Sequence, residues 1–220
     1  MGQGTSILAL DVAKKALHEC DLQGCSVEVP FDEIKEHEEK CDWRLVLCPG
    51  SGDTCKAMLP FCTIIDHVGV CTDFYDKIPR RLYNNGFYRY RSIVVSREQE
   101  GNRNSSWGTS VDQLEGKLFF SRFAKRRGEY ICDVVMGGTK EECKDYTVEA
   151  SVSVSASVMD PATSKSKSVF KASFPPRPLD KQKEAKFCLS VKQEAISDDL
   201  LWNYKLGGYF LVFKVLITKL

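Results

Sequence analysis

At 220 residues, with 43% hydrophobic and 28% charged side chains, the chain has the composition of a soluble globular protein and room for one substantial core plus a smaller module. Its 31 basic and 30 acidic residues leave a formal net charge of +1, which excludes a general attraction to nucleic acid or to an anionic membrane. No stretch approaches the ~20 apolar residues needed to cross a bilayer.

The N-terminal sequence MGQGTSILALDVAKK lacks the basic-then-apolar order of a secretory signal. It does fit the N-myristoylation pattern, with Gly2 as acceptor and Ser6 in the required place. A match this short also arises by chance, and a single acyl chain anchors a protein only marginally. Between Ile7 and Leu17 the spacing of Ile7, Leu8, Leu10, Val12 and Leu17 predicts a short helix. Residues 1–19 are therefore read as an N-terminal segment, residues 20–75 as a Cys- and His-rich region with little room for a conventional core, and residues 80–220 as a strand-rich domain.

Seven of the ten cysteines lie between Cys20 and Cys71; Cys132, Cys143 and Cys188 are scattered. A disulfide scaffold would suit a secreted protein, but no signal peptide is visible, and histidines interleave with the clustered cysteines. The clustered residues form a repeat. Cys20-x4-Cys25 is followed after eleven residues by His37-x3-Cys41, and Cys48-x6-Cys55 is followed after eleven residues by His67-x3-Cys71. Zinc takes four ligands in a tetrahedron and accepts thiolate sulfur and imidazole nitrogen readily. A cysteine pair on a turn supplies two ligands, and a His and Cys spaced i, i+4 on a helix supply the other two. The pattern predicts two zinc ions per chain, bound by Cys20, Cys25, His37, Cys41 and by Cys48, Cys55, His67, Cys71. Four protein ligands leave no open position for water, so both ions would be structural. Cys62 falls where Asp32 stands in the first unit, and the repeat gives it no ligand role.

Strands follow. Phe87–Val95, Gly116–Phe123 and Tyr130–Met136 read as three, the last ended by the Gly137-Gly138 turn signal. Between Tyr146 and Met159 valines and alanines alternate with serines, a period of two with one face on a core and one toward water. Ser168–Phe174 and Phe187–Val191 are further strands, Ile196–Tyr204 is a helical turn or loop, and Gly208–Ile217 is apolar enough for a strand buried on both faces. The polar segment from Arg97 to Gln113 reads as an exposed loop. The predicted fold is mainly β, two small zinc fingers followed by an antiparallel β-sandwich.

Gly24-Cys25, the run Glu36-His37-Glu38-Glu39-Lys40-Cys41, Leu47-Cys48-Pro49, Cys188-Leu189-Ser190-Val191 and the closing Gly207–Val215 strand together resemble the seven-in-absentia family of ubiquitin ligases. The resemblance spans about residues 17–220, close over the fingers and looser over the sandwich. It implies a TRAF-like sandwich that binds degradation substrates or adaptor proteins and pairs two copies of the chain, in the cytoplasm or nucleus. The family's RING domain precedes the fingers, and the 19 residues before Cys20 do not hold its eight ligands, so the resemblance implies a RING-less adaptor or regulator. The strand that forms the family's peptide groove has no clear counterpart in Ile78–Tyr90.

Two other classes compete with a binding module. Nucleic-acid binding through the fingers meets an acidic surface (Glu33, Glu36, Glu38, Glu39), and the one basic cluster, Lys125-Arg126-Arg127, reads as a solvated turn before Gly128. A membrane-tethered scaffold rests on Gly2 alone. For catalysis, two of three histidines are spent as ligands, His18 reads as solvent-exposed, and the adjacent Asp198 and Asp199 do not face each other as an acid/base pair.

Overall fold

A computed structural model describes residues 17–50, 54–82, 87–96, 101–155, 167–181, 189–197 and 208–220. Gly2, the Ile7–Ala16 part of the expected helix, Cys188, Asp198 and Asp199 lie outside them, and Leu17 opens a strand.

The chain begins with the same unit twice. Strands β1 (Leu17–Glu19) and β2 (Glu28–Pro30) pair antiparallel and lead into helix α1 (Ile34–Lys40); β3 (Leu45–Leu47) and β4 (Met58–Pro60) pair antiparallel and lead through a 3-10 turn, Phe61–Thr63, into α2 (Ile64–Val70). Neither helix is long enough to be stable alone, so each depends on what it packs against or binds.

The rest is two sheets. Strands β5 (Arg80–Leu82), β6 (Phe87–Ser96), β7 (Ser105–Leu114), β8 (Lys117–Arg126) and β9 (Glu129–Met136) are followed by a short helix α3 (Lys140–Cys143). After it come β10 (Tyr146–Ser155), β11 (Lys167–Phe174), β12 (Arg177–Pro178), β13 (Leu189–Lys192), helix α4 (Gln193–Ser197) and β14 (Gly208–Lys219). One sheet has the order β11-β10-β14-β6; the other runs β12-β9-β8-β7-β5, with β13 also paired to β9. Pairing is antiparallel except for β5 with β7 and β12 with β9. Both tight hairpins, β7–β8 and β8–β9, turn through two residues in the left-handed region, Glu115-Gly116 and Arg127-Gly128, whose twist matches the flanking strands.

The alternation read in β10 places Val148, Ala150, Val152 and Val154 between the sheets, where they meet Phe119 and Phe123 of β8 and Leu211 and Phe213 of β14. As expected, β14 is buried on both faces from Phe210 to Phe213, in keeping with its central place between β10 and β6. Strand β8 is apolar on both faces too: Phe119 and Phe123 face the sandwich core, while Leu118 and Phe120 join a second cluster on the outer face. That second cluster contains Val46, Leu59, Ile64 and Val68 of the second finger unit. The Cys- and His-rich region therefore does build a core, by borrowing one face of the six-stranded sheet.

Two expectations from polarity are corrected. Residues 105–113 are not a loop but most of β7, with Thr109, Ser110 and Asp112 buried. Two of them have partners from elsewhere in the chain: Arg89 of β6 donates Nε–H to Asp112 Oδ2 at 2.8 Å and pairs with Asp76, and Thr109 donates its backbone N–H to the carbonyl of Asp73. Lys125 is not solvated either. Only Arg127 and Gly128 form the turn; Lys125 lies opposite Tyr130 on the inner face, 1% exposed, its Nζ 5.6 Å from the ring centroid.

Candidate metal centres

Each repeat delivers its four ligands in the same way. Cys20 follows β1 and Cys25 lies in the loop before β2; Cys48 follows β3 and Cys55 precedes β4. His37 and His67 lie on α1 and α2. Cys41 and Cys71 are the residues at which those helices stop, both with extended backbone, so they sit just past the helix end and not on its face. Within each quartet the four ligand atoms lie within 4.8 Å of one another.

The distances test which chemistry the quartets suit. A tetrahedral zinc with sulfur at about 2.3 Å and nitrogen at about 2.0–2.1 Å has sulfur–sulfur edges of about 3.8 Å and sulfur–nitrogen edges of about 3.6 Å. In the second quartet Cys48 Sγ and Cys71 Sγ are 3.9 Å apart, and His67 Nε2 is 3.2 Å from Cys48 Sγ and 3.4 Å from Cys55 Sγ. In the first, His37 Nε2 is 3.5 Å from Cys25 Sγ. These are tetrahedron edges. A disulfide needs about 2.05 Å, and the nine described cysteines are all free thiols. Both Cys3His quartets fit a structural zinc ion.

The backbone prepares the sulfurs for a cation. The N–H groups of Val27, Trp43, Gly50 and Asp73 point at Cys25, Cys41, Cys48 and Cys71, in every case from two residues ahead. The N–H of Val27, acting against burial and helped by His37, brings the Cys25 thiol down to about 7. Burial outweighs the same kind of bond elsewhere: it pushes Cys41 up to about 11 and raises Cys48 and Cys71. A divalent ion at the centre of each quartet reverses that balance and holds the sulfurs as thiolates.

Two supporting residues carry no signal in the motif. Trp43 and Asp73 occupy equivalent places, two residues after the last cysteine of each unit. Each uses its side chain to close the loop between the first two ligands. The Trp43 ring lies on Gly24, where a Cβ would meet it at 2.5 Å, and Gly24 itself has φ +99°. That is the physical content of the Gly24-Cys25 step. In the second unit Asp73, buried, accepts from the Thr54 hydroxyl and from the backbone N–H of Cys55 at 3.1 Å. The repeat keeps the task and changes the chemistry.

The units are also joined. Phe61 N–H donates to the Arg44 carbonyl at 3.0 Å and Cys62 N–H to the Asp42 carbonyl at 2.8 Å. The Arg44 guanidinium stacks on the Phe61 ring at 4.1 Å and donates to the Cys41 carbonyl at 2.9 Å. Cys62 itself is exposed, and Cys132 and Cys143 are buried in the sandwich, away from either quartet. His18 is exposed as expected, its ring 5.1 Å from that of Phe31. Among the described residues no helix is long and apolar enough to cross a membrane. No protein-family model matches the chain, and no curated protein matches it.

Proposed function

We propose that this chain is a zinc-stabilised protein-recognition module of the seven-in-absentia type, in which the fingers and a TRAF-like sandwich bind protein substrates or adaptors for ubiquitin-dependent degradation and the sandwich pairs two copies. The observation that carries the reading is the fusion of two closed Cys3His quartets to one two-sheet domain. A metal with four protein ligands holds shape and offers no position for a reacting water, so the sites support surfaces. Those surfaces are poor partners for phosphate: Glu33, Glu36 and Glu39 stand exposed along the first finger.

Affinity purification with mass spectrometry, run on the parent chain and on Cys41→Ser and His67→Ala variants, tests the proposal. The parent is expected to retain ubiquitin-pathway proteins and to elute at twice the mass of one chain. Each variant is expected to lose at least one zinc together with part of the partner set, since metal binding supplies folding energy. Variants that keep both ions and every partner would refute the ligand assignment. A partner set without ubiquitin-pathway components would remove the proposed role while leaving the metal centres standing.

A further inference from the structure

The two quartets share a ligand set but not a setting. Their ligands are shielded alike: Cys20, Cys41, Cys48 and Cys71 are between 2% and 6% exposed, and Cys25, His37, Cys55 and His67 are half-buried. The difference lies one layer out. Of residues 17–43, only Cys20 and Cys41 are buried, so the first finger has no interior except its own ligands. Helix α1 buries nothing, and Leu17, Val27, Phe31 and Trp43 remain exposed. In the second finger Ile64 and Val68 of α2 are 1% and 0% exposed, and they share one apolar cluster with Cys48, Cys71 and the outer face of the six-stranded sheet. The chain leaving the second quartet is tied directly to β7: Thr109 N–H donates to the Asp73 carbonyl and Tyr75 N–H to the Thr109 carbonyl, both at 2.9 Å. Among the described residues, the backbone hydrogen bonds from the first finger to the second are made by Asp42 and Arg44, after its last ligand.

We propose that the two metal sites differ in kind: the second is part of the sandwich's outer core and empties only when that core opens, whereas the first is a releasable site whose emptying unfolds residues 17–43 alone. The proposal rests on the zinc reading and deepens it. Metal release from a site is coupled to whatever structure the metal holds together. At the first site that structure is two short strands, one short helix and no fully buried side chain other than its own ligands. At the second, release leaves thiols inside an apolar cluster or breaks the cluster open. Local opening free energies follow such differences in buried contact. The β1–β2 hairpin and the acidic face of α1 therefore exist as a surface only while zinc is bound, mounted on a frame that survives its loss.

The test uses the full chain purified with zinc. Zinc is counted by elemental analysis and then withdrawn with increasing EDTA, while hydrogen exchange of α1, β8 and β9 is followed by mass spectrometry. The expected starting count is two. One ion leaves at EDTA concentrations on the order of 10–100-fold below those needed for the other, the range over which supporting interactions shift metal affinity. Protection in residues 17–43 is lost with the first ion, and protection in β8 and β9 only with the second. A Cys25→Ser variant keeps one zinc and the parent's urea midpoint for the sandwich, whereas Cys55→Ser lowers that midpoint or fails to fold. A single release step, early loss of protection in β8 and β9, or a collapsed sandwich in Cys25→Ser would overturn the proposal with the zinc reading intact. A starting count below two overturns the zinc reading and this proposal with it.

Discussion

Asp133 lies on the outer face of β9 with its carboxylate between two guanidinium groups, Arg122 of β8 and Arg177 of β12, and its side chain is 1% exposed. Burial alone would raise its pKa. The two cations overcome that and hold the carboxyl below its ordinary range. The group is thus easier to ionise in the folded chain than in the unfolded one. Its contribution to stability is fully present above the unfolded value of about 3.9 and is lost as pH falls through the lower folded value. Replacing Asp133 with Asn leaves two cations facing a neutral amide, and breaking a buried pair in this way costs about 3–5 kcal/mol. The gap in urea midpoint between the parent and Asp133→Asn should stay constant from pH 8 to 5 and narrow below about pH 4. Comparing the two chains at each pH cancels the metal loss they share in acid. A gap that widens in acid would show that Asp133 is not held ionised by its neighbours.

Between elements, the second finger approaches the sandwich closely at one point. The Phe61 ring of the 3-10 turn lies over Gly137, just past β9, where an added Cβ would meet the ring at 2.6 Å. The ring is also held by the Arg44 guanidinium, 4.1 Å from its centroid. Gly137→Ala is expected to cost about 1–3 kcal/mol through overpacking, read as a lowered urea midpoint, with both zinc ions retained. An unchanged midpoint would mean that Phe61 does not pin the finger. The sequence showed Gly137 only as the end of a strand, because a turn signal does not reveal what lies above it. Periodicity carried what depends on one strand's own pattern: the alternation in β10, the apolar run of β14 and the ligand repeat were all legible. It failed at β7, where Thr109, Ser110 and Asp112 are buried polar residues and the partners of Thr109 and Asp112, Asp73 and Arg89, come from other parts of the chain. Lys125 was misread for the same reason, since its neighbour Tyr130 is supplied by pairing with β9. Asp73 and Trp43 left no trace in the motif because equivalent positions do the same work with unlike side chains.

At the scale of the whole molecule, apolar packing joins the second finger to the sandwich. The proposed release of the first site puts the line of separation inside the finger pair, near residue 43. The outer face of the six-stranded sheet presents Val111, Leu118, Phe120 and Val135, with Leu179 beside them, and the second finger is what covers these side chains. Burying each is worth about 1.5–3 kcal/mol, so the five together come to roughly 8–15 kcal/mol, an upper bound comparable to the whole stability of a typical domain. A shortened chain of residues 44–220 keeps that cover and the complete second quartet. It should bind one zinc, unfold cooperatively in urea and remain in solution in the parent's oligomeric state. A chain of residues 76–220 keeps every sandwich strand yet loses Asp73, Phe74 and the finger above them. It should expose the outer cluster, bind a hydrophobic dye and elute as large oligomers. Size-exclusion chromatography with light scattering separates the two outcomes. If residues 76–220 behaved as a well-folded species with the parent's melting transition, the second finger would be an appendage, and the apolar outer face of β8 would need another explanation.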